Sequence, residues 1–558
     1  MVARFLLLLL WTALLAPVWP TPSRAATILV PTQEATIQDG ILAAAEGDTV
    51  LIAPGLYRGA GNRDVSFLGK DVVVTSAQGS GSTTVDCEVL GRGFILMDGE
   101  SSAAMLRGLT IVNGIARFGA GALCISSSPT IVDCIFRDNV ATERGGGLCC
   151  VWSDAALDSC SFMENTARED IWHGEGGGLY GENSNLTLSH CAFVDNFVGG
   201  TGGGLCSRGA RVDLHDCLFS INGSSDGQGG GAAFFSTIGY ARDCRFFGNV
   251  APDGGGVVAY GSAPQFWNCR FISNWAQGAA GCKGGAVYGA GHLEFHECLF
   301  DGNVASDIDR EGTGGAIFVG QGGYLLIESS TLHRNVADRG PYGGGLGAGV
   351  FVGGLATAEL RNTIITASRD GEAIHCVTES AVHLSCCDLY GNEGGDWVGC
   401  IAGLYGTEGN ISAGPFFCDP ENGDFGLADY SPCAPDQSPG ECGLIGAYGV
   451  ACATPVAVAE PELSASGKLQ IWNYPNPFNP VTTIVYQVPH PGPVTLRIYD
   501  VSGRAVCNLL DGTTVDEGQH SVLWDGTDGA GRPVESGIYF GRLQVGSEEE
   551  FRRLVLIK

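Results

Sequence analysis

The chain has 558 residues, 60 acidic against 30 basic side chains for a formal net charge of −30, and 87 glycines and 22 cysteines. So acidic a balance excludes the electrostatic footprint of a nucleic-acid binder or of a protein held on an anionic membrane surface. The length exceeds one ordinary domain but suits a solenoid, which grows by repetition, and the glycines lack the three-residue period of collagen.

Residues 1–25 have the form of an export signal. Arg4 supplies the positive start, Phe5 to Leu15 the apolar centre and Ser23-Arg24-Ala25 a small-x-small cleavage site. The apolar run is too short to span a bilayer, and the mature chain is expected to carry no transmembrane segment. That chain is expected to begin near Ala26 and to work outside the cell or on its outer surface, where disulfides persist.

Residues 26–107 predict the entry to a repeat array. Thr27 to Val30 reads as a short strand, and Thr36 as the cap of a helix whose Ile37, Ile41 and Ala44 share one face. Such a helix suits a lid over the open end of an apolar core. The segment Gly47-Asp48-Thr49-Val50-Leu51-Ile52 then reads as a turn and a buried strand.

One phrase recurs about every 26 residues from there on: Cys134/Phe136/Asn139, Cys160/Phe162/Asn165, Cys191/Phe193/Asn196, Cys217/Phe219/Asn222, Cys244/Phe246/Asn249, Cys269/Phe271/Asn274 and Cys298/Phe300/Asn303. Weaker copies stand at Gly108/Thr110/Asn113, Ser330/Leu332/Asn335 and Cys387/Leu389/Asn392. Cys and Phe alternate at period two, glycine triplets such as Gly145-Gly146-Gly147 interrupt every repeat, and no 3.6-residue pattern survives, so the helical solenoids fail. Propeller blades are too long for this period. A parallel β-helix of about a dozen coils remains, with like residues stacked about 4.8 Å apart. Cys and Phe are expected to face inward and Asn to form a ladder of side-chain amides at one recurrent bend. Stacked cysteines point the same way at a separation unsuited to disulfides and read as small buried hydrophobes. The crowd of Cys376, Cys386, Cys387, Cys400, Cys418, Cys433, Cys442 and Cys452 is the expected place for bridges. No zinc-type Cys/His spacing occurs, no cofactor is expected, and calcium is supported by no motif.

Candidate chemistry is sparse. Positions flanking each ladder cysteine are expected to point outward, which puts Asp243 and Arg245, Asn268 and Arg270, and Glu297 and Leu299 on successive coils. Arg245 and Arg270, with Asp243 and Glu297 beside them, are the candidate catalytic set: arginines that neutralise a uronate carboxylate and acids that assist proton transfer. The competing reading is a solvated charge cluster. Tyr260, Tyr288, Trp267 and Trp275 are candidates for a sugar platform or for packing, and Trp172-His173 for a surface loop. Lys283 is the only lysine between Lys70 and Lys468.

The run Thr36-Ile37-Gln38, Gly47-Asp48-Thr49-Val50 and Pro54-Gly55-x-Tyr57 resembles the opening of right-handed parallel β-helix proteins of the pectin-lyase-like class. The resemblance covers roughly residues 26–450 and implies the fold without fixing an activity. Residues 453–470, within a stretch rich in Ala, Pro, Glu and Ser, read as a linker. From 471 to 558 short alternating strands, among them Thr483 to Val488, Val494 to Asp500, Gln519 to Trp524, Ile538 to Val545 and Arg553 to Ile557, predict a small Ig-like β-sandwich. Tyr474-Pro475-Asn476-Pro477-Phe478-Asn479-Pro480, Ile498-Tyr499-Asp500 with Gly503-Arg504, and Trp524-Asp525-Gly526 make this segment similar to the C-terminal sorting domains of type IX secretion and to the Ig-like domain of flagellar hook-capping proteins. The resemblance implies the type IX machinery as a partner. The expected function is an exported binding, adhesion or structural role with a polysaccharide or cell-surface ligand; the alternative is a polysaccharide lyase or hydrolase acting on acidic polysaccharide.

Overall fold

In a regular coil four corners turn the chain, each marked by a residue with left-handed backbone. The computed structural model describes residues 25–168, 174–278, 281–307, 312–338, 344–452, 469–474, 482–500, 504–534, 536–546 and 548–556. One coil runs through strands Thr130–Val132, Ile135–Arg137, Val140–Arg144 and Leu148–Val151. The corners fall at Asp133 (φ 50°), Asp138 (φ 56°), Gly145 (φ 65°) and Trp152 (φ 52°). The glycine corner is the tightest: a Cβ on Gly146 would lie 2.4 Å from the Gly177 carbonyl oxygen, so only glycine lets adjacent coils approach there.

Repetition of this coil builds four parallel sheets which, in the order a coil visits them, have 14, 13, 9 and 12 strands. The first sheet thus exceeds the dozen coils expected from the sequence. Its 13 steps, each of about 4.8 Å, give a rise of roughly 62 Å.

The interior consists of columns. Cys134, Cys160, Cys191, Cys217, Cys244, Cys269 and Cys298 are free and buried, and the residues that follow them pair in register from coil to coil. Each thiol faces the carbonyl two residues earlier, at 3.4 Å from Cys134 to Val132 and 3.3 Å from Cys298 to His296. The column continues through Ser330 and Thr363, whose hydroxyls donate to the equivalent carbonyls at 2.8 and 2.9 Å. The phenylalanines from Phe136 to Phe300 stack with centroids 4.7 to 5.0 Å apart and planes within 8°. Amides from Asn139 to Asn335 form a ladder: Asn165 Nδ2 donates to Asn196 Oδ1 at 3.0 Å and to the Phe136 carbonyl at 2.8 Å, and every coil repeats the pattern. Four coils further on, Asn274 Nδ2 donates to Asn303 Oδ1 and to the Phe246 carbonyl, each at 2.9 Å, while Asn274 Oδ1 accepts from Asn249 Nδ2 at 2.9 Å. The first flanking copy, Gly108/Thr110/Asn113, shifts by one residue at all three positions. Ile111 pairs with Phe136, so Leu109 rather than Gly108 lies under Cys134 and Gly114 rather than Asn113 under Asn139. The corner residue before each cysteine, such as Asp243 (φ 57°) or Glu297 (φ 55°), is no strand position either.

Both ends are covered. The helix Ile37–Ala43, with Thr36 accepting from the Asp39 amide at 3.2 Å, buries Ile37 and Ile41 over the first coil. At the other end the 3₁₀ helix Gly399–Leu404 buries Ile401. Disulfides Cys376–Cys400, Cys386–Cys442 and Cys418–Cys452 tie this end together, while Cys387 and Cys433 stay free and buried. Residues 411–452 turn back along the second sheet, where the Gly446 amide donates to the Asn362 carbonyl at 2.8 Å and the Ala447 amide to Thr331 Oγ1 at 3.0 Å.

Residues 1–454 and 455–558 are separate compact units. The second has an antiparallel sheet of Gln470–Tyr474, Thr482–Val488 and Gly518–Trp524 and another of Ala505–Val515, Gly492–Asp500, Gly537–Val545 and Glu548–Leu556. Ile484, Leu496, Ile498, Trp524 and Leu543 fill its core. Ala505–Val515 is a strand that the alternation did not reveal. The expected export signal up to residue 24, Trp172-His173, the linker over 453–468 and residues 475–481 lie outside the described residues.

Candidate functional site

Arg245 and Arg270 pair in register on neighbouring strands of the second sheet, but the expected acids do not join them. Asp243 accepts from Asn268 Nδ2 at 2.7 Å and lies 3.9 Å from His215. Arg270 faces the Tyr448 ring at 5.6 Å, in a recess of about 290 Å³ shared with Asp424 and Phe425, so the returning C-terminal segment stands over one of the two arginines. The positions before each cysteine were expected on an outward strand; they form corners, and that separates Asp243 and Glu297 from the arginine column. The ladder amides Asn139, Asn165, Asn196, Asn222, Asn249, Asn274 and Asn303 are fully buried. They face the inside of the coils and lend no side chain to an outer surface.

The fourth sheet carries more. Its outward positions hold an apolar row that includes Cys149, Tyr180, Cys206 and Val258. Beside it, at the residue before each glycine corner, a polar column bridges coil to coil: Arg144 to Glu175 to Thr201, and Gln228 to Asp253 to Lys283 to Thr313. Its first part is internally balanced. Arg144 Nη1 meets Glu182 at 2.9 Å and its Nε meets Glu175 at 3.2 Å, Arg208 Nε donates to Glu175 at 2.9 Å, and the Tyr180 hydroxyl donates to Glu182 at 3.1 Å. Two arginines and two glutamates cancel, and burial pushes the Tyr180 hydroxyl well above its ordinary range.

The second part holds one carboxylate and one ammonium that do not form an ion pair. Gln228 Nε2 donates to Asp253 Oδ2 and to the Tyr260 hydroxyl, each at 3.0 Å. The Lys283 amide donates to Asp253 Oδ1 at 3.1 Å. Lys283 Nζ lies 5.8 Å from the ring centroids of both Tyr288 and Phe318, and the rings of Tyr260 and Tyr288 meet edge to face at 5.2 Å. Burial raises the Asp253 carboxyl, with the Lys283 charge opposing it. Among the described residues no carboxylate comes within 4.0 Å of Lys283 Nζ. Lys283, Tyr260 and Tyr288, weighed separately in the sequence, are thus one cluster, joined by Gln228 and Asp253. The available signal was position: Gln228-Gly229, Asp253-Gly254 and Lys283-Gly284 occupy one place in the repeat.

A third group lies on the outer face of the first sheet. His296 Nδ1 faces Glu328 at 3.1 Å and its Nε2 faces Glu294 at 3.5 Å, while Glu294 also meets His292 at 2.6 Å and accepts from Gln265 at 2.9 Å. Trp267 stacks on His296 at 3.9 Å, so one face of its indole is already occupied. Trp275 is 38% exposed on the third sheet. Among the described residues no group of three or more His, Cys, Asp or Glu is placed to hold a metal ion, and no helix is long and apolar enough to cross a membrane.

Residues 171–312 match the family model of the right handed beta helix region, and residues 481–547 match that of the FlgD Ig-like domain. No curated protein matches the chain. Among solved structures, PorZ, a surface component of the type-IX secretion system of Porphyromonas gingivalis, is 21% identical over 16% of this chain and 11% of its own, with a TM-score of 0.13. This chain therefore spans about a tenth of that protein. A mannuronic acid specific polysaccharide family 6 lyase from human gut microbiota is 12% identical over 72% of this chain and 93% of its own, with a TM-score of 0.35. The enzymatically active domain of tailspike protein 4 of bacteriophage CBA120 is 13% identical over 80% and 63%, with a TM-score of 0.28. The two family models agree with a β-helix followed by an Ig-like β-sandwich.

Proposed function

We propose that the protein is exported to the cell surface or secreted, and that its β-helix is a non-enzymatic binding rod for a polysaccharide, with residues 471–558 addressing it to the type IX secretion machinery. The observation that carries the binding reading is the outward polar column of the fourth sheet, which presents one side chain per coil beside aromatic residues, an arrangement suited to an extended chain of repeating polar units. The sorting reading rests on the motifs between Tyr474 and Lys558 and on the match to the FlgD Ig-like domain. Deletion of residues 471–558 is expected to leave the protein in the periplasm; surface display at the level of the full chain overturns the sorting role. The enzymatic alternative, through Arg245 and Arg270, is tested by the ultraviolet absorbance of unsaturated products from pectate or alginate. Turnover that Arg270→Ala abolishes replaces the binding reading with a lyase.

A further inference from the structure

The binding-rod reading leaves open where on the rod recognition occurs and which sugars it selects. Several features converge on one stretch of the fourth sheet. Lys283 is the only lysine between Lys70 and Lys468 in a chain with twice as many acids as bases. Its side chain is half-buried, and among the described residues no carboxylate lies within ion-pair distance of it. The rings of Tyr288 and Phe318 stabilise the ammonium without neutralising it. The nearest acid of the polar column, Asp253, is engaged by Gln228 Nε2 and by the Lys283 main-chain amide; burial raises its carboxyl while the Lys283 charge opposes that rise. Upstream, the Arg144, Arg208, Glu175 and Glu182 set is balanced in charge and offers no net charge to a ligand.

We propose that the outer face of the fourth sheet around Lys283 is a subsite for a carboxylated sugar, in which Lys283 Nζ pairs with the uronate carboxylate and Gln228, Tyr260 and Tyr288 exchange hydrogen bonds with ring hydroxyls. A single lysine is a point charge suited to one carboxylate, whereas phosphate recognition favours forked arginines. The neutral hydroxyl and amide groups around it match a hydroxylated ligand and give little to an apolar one. The inference rests on the polysaccharide-binding reading and adds to it both a place and a selectivity.

The test uses the full chain in affinity electrophoresis with polygalacturonate and polymannuronate, with dextran as the neutral polymer and inorganic phosphate as competitor. Wild-type protein is expected to be retarded by at least one polyuronate, not by dextran, with no relief by phosphate. Lys283→Met is expected to weaken retardation at least about tenfold, the scale of one lost hydrogen bond to a charged group, with unchanged circular dichroism. Lys283→Arg is expected to retain most of it, and Arg137→Ala, at an exposed position of the second sheet, all of it. If wild type is retarded and Lys283→Met is retarded equally, the assignment to this face is wrong while the binding reading stands. Retardation by neither polyuronate sinks both, and equal retardation by dextran or relief by phosphate rejects the uronate selectivity.

Discussion

Asn222 makes all four hydrogen bonds open to its side chain. Nδ2 donates to the Phe193 carbonyl and to Asn249 Oδ1, each at 2.9 Å, and Oδ1 accepts from the amide nitrogen and Nδ2 of Asn196 at 3.1 and 2.9 Å. Asn222→Ala strands a buried carbonyl and a buried N–H, each worth about 1–3 kcal/mol, and is expected to cost about 4 kcal/mol in urea unfolding. Cys217→Ser, by contrast, puts a hydroxyl where Ser330 already shows one bonded to the equivalent carbonyl, and a change within about 1 kcal/mol is expected. Both columns were readable because the Cys-to-Asn offset is constant, from Cys134 and Asn139 through Cys269 and Asn274 to Cys298 and Asn303. Asn113 was misplaced because a glycine, Gly108, stands where the later phrases have Cys or Ser, which leaves the register of that copy unanchored. Asp388 is different. It is buried and accepts from the Ala413 amide at 2.9 Å and from Cys433 Sγ at 3.1 Å, yet desolvation raises its carboxyl from 3.8 to about 7. With the folded value above the unfolded one, its contribution is full below pH 3.8 and is lost as pH rises through about 7. Asp388→Asn is therefore expected to flatten the fall in thermal midpoint across that window; an unchanged pH profile would show that this carboxyl does not set it.

At the scale of elements, regularity decided what could be read. The strands of the first, second and fourth sheets repeat a fixed pattern, and the sequence exposes it. Ala505–Val515 does not: most of its side chains are exposed or half-exposed, and its pairing with Gly492–Asp500 shifts register three times, which erases the period of two. The disulfide set was legible in place but not in pairing, since eight cysteines crowd one irregular stretch. Alternation sorts one adjacent pair after the fact: Cys387 points into the core and Cys386 outward to Cys442. The bridges close loops of 24, 56 and 34 residues, each worth about 3–4 kcal/mol in a chain-entropy account. Reduction is accordingly expected to remove amide-exchange protection from residues 399–452 while leaving the Asn ladder from Asn139 to Asn303 protected. Loss of protection across the ladder at the same rate would show that the end and the coils open as one unit.

For the whole molecule, the charge of −30 sets how any acidic polymer arrives. Long-range repulsion is screened as the Debye length falls from about 30 Å at 0.01 M salt to about 8 Å at 0.15 M, whereas contacts of a half-buried lysine are screened much less. Retardation by a polyuronate is therefore expected to strengthen over that salt range, the reverse of an ordinary basic patch; weakening would point to exposed arginines instead. The place of Lys283 in the polar column was legible only after the glycine corners were aligned, because a single lysine in a long acidic chain has no pattern of its own. A final consequence concerns the lid. Gly40 lets the helix Ile37–Ala43 approach the first coil closely, since a Cβ there would lie 2.8 Å from Val50 and 3.0 Å from Val30. The turn that leads into the helix closes the outer edge of Thr27–Val30, with the Leu29 amide donating to Gln33 Oε1 at 2.7 Å and the Gln33 and Glu34 amides donating to the Leu29 carbonyl at 2.8 and 3.1 Å. Gly40→Val, which crowds the helix off Val30 and Val50, is expected to loosen this turn, free a template for hydrogen bonding by another chain and give end-to-end filaments detectable by light scattering. The turn and the short helix behind it thus act as a stopper that keeps a potentially endless β-stack finite.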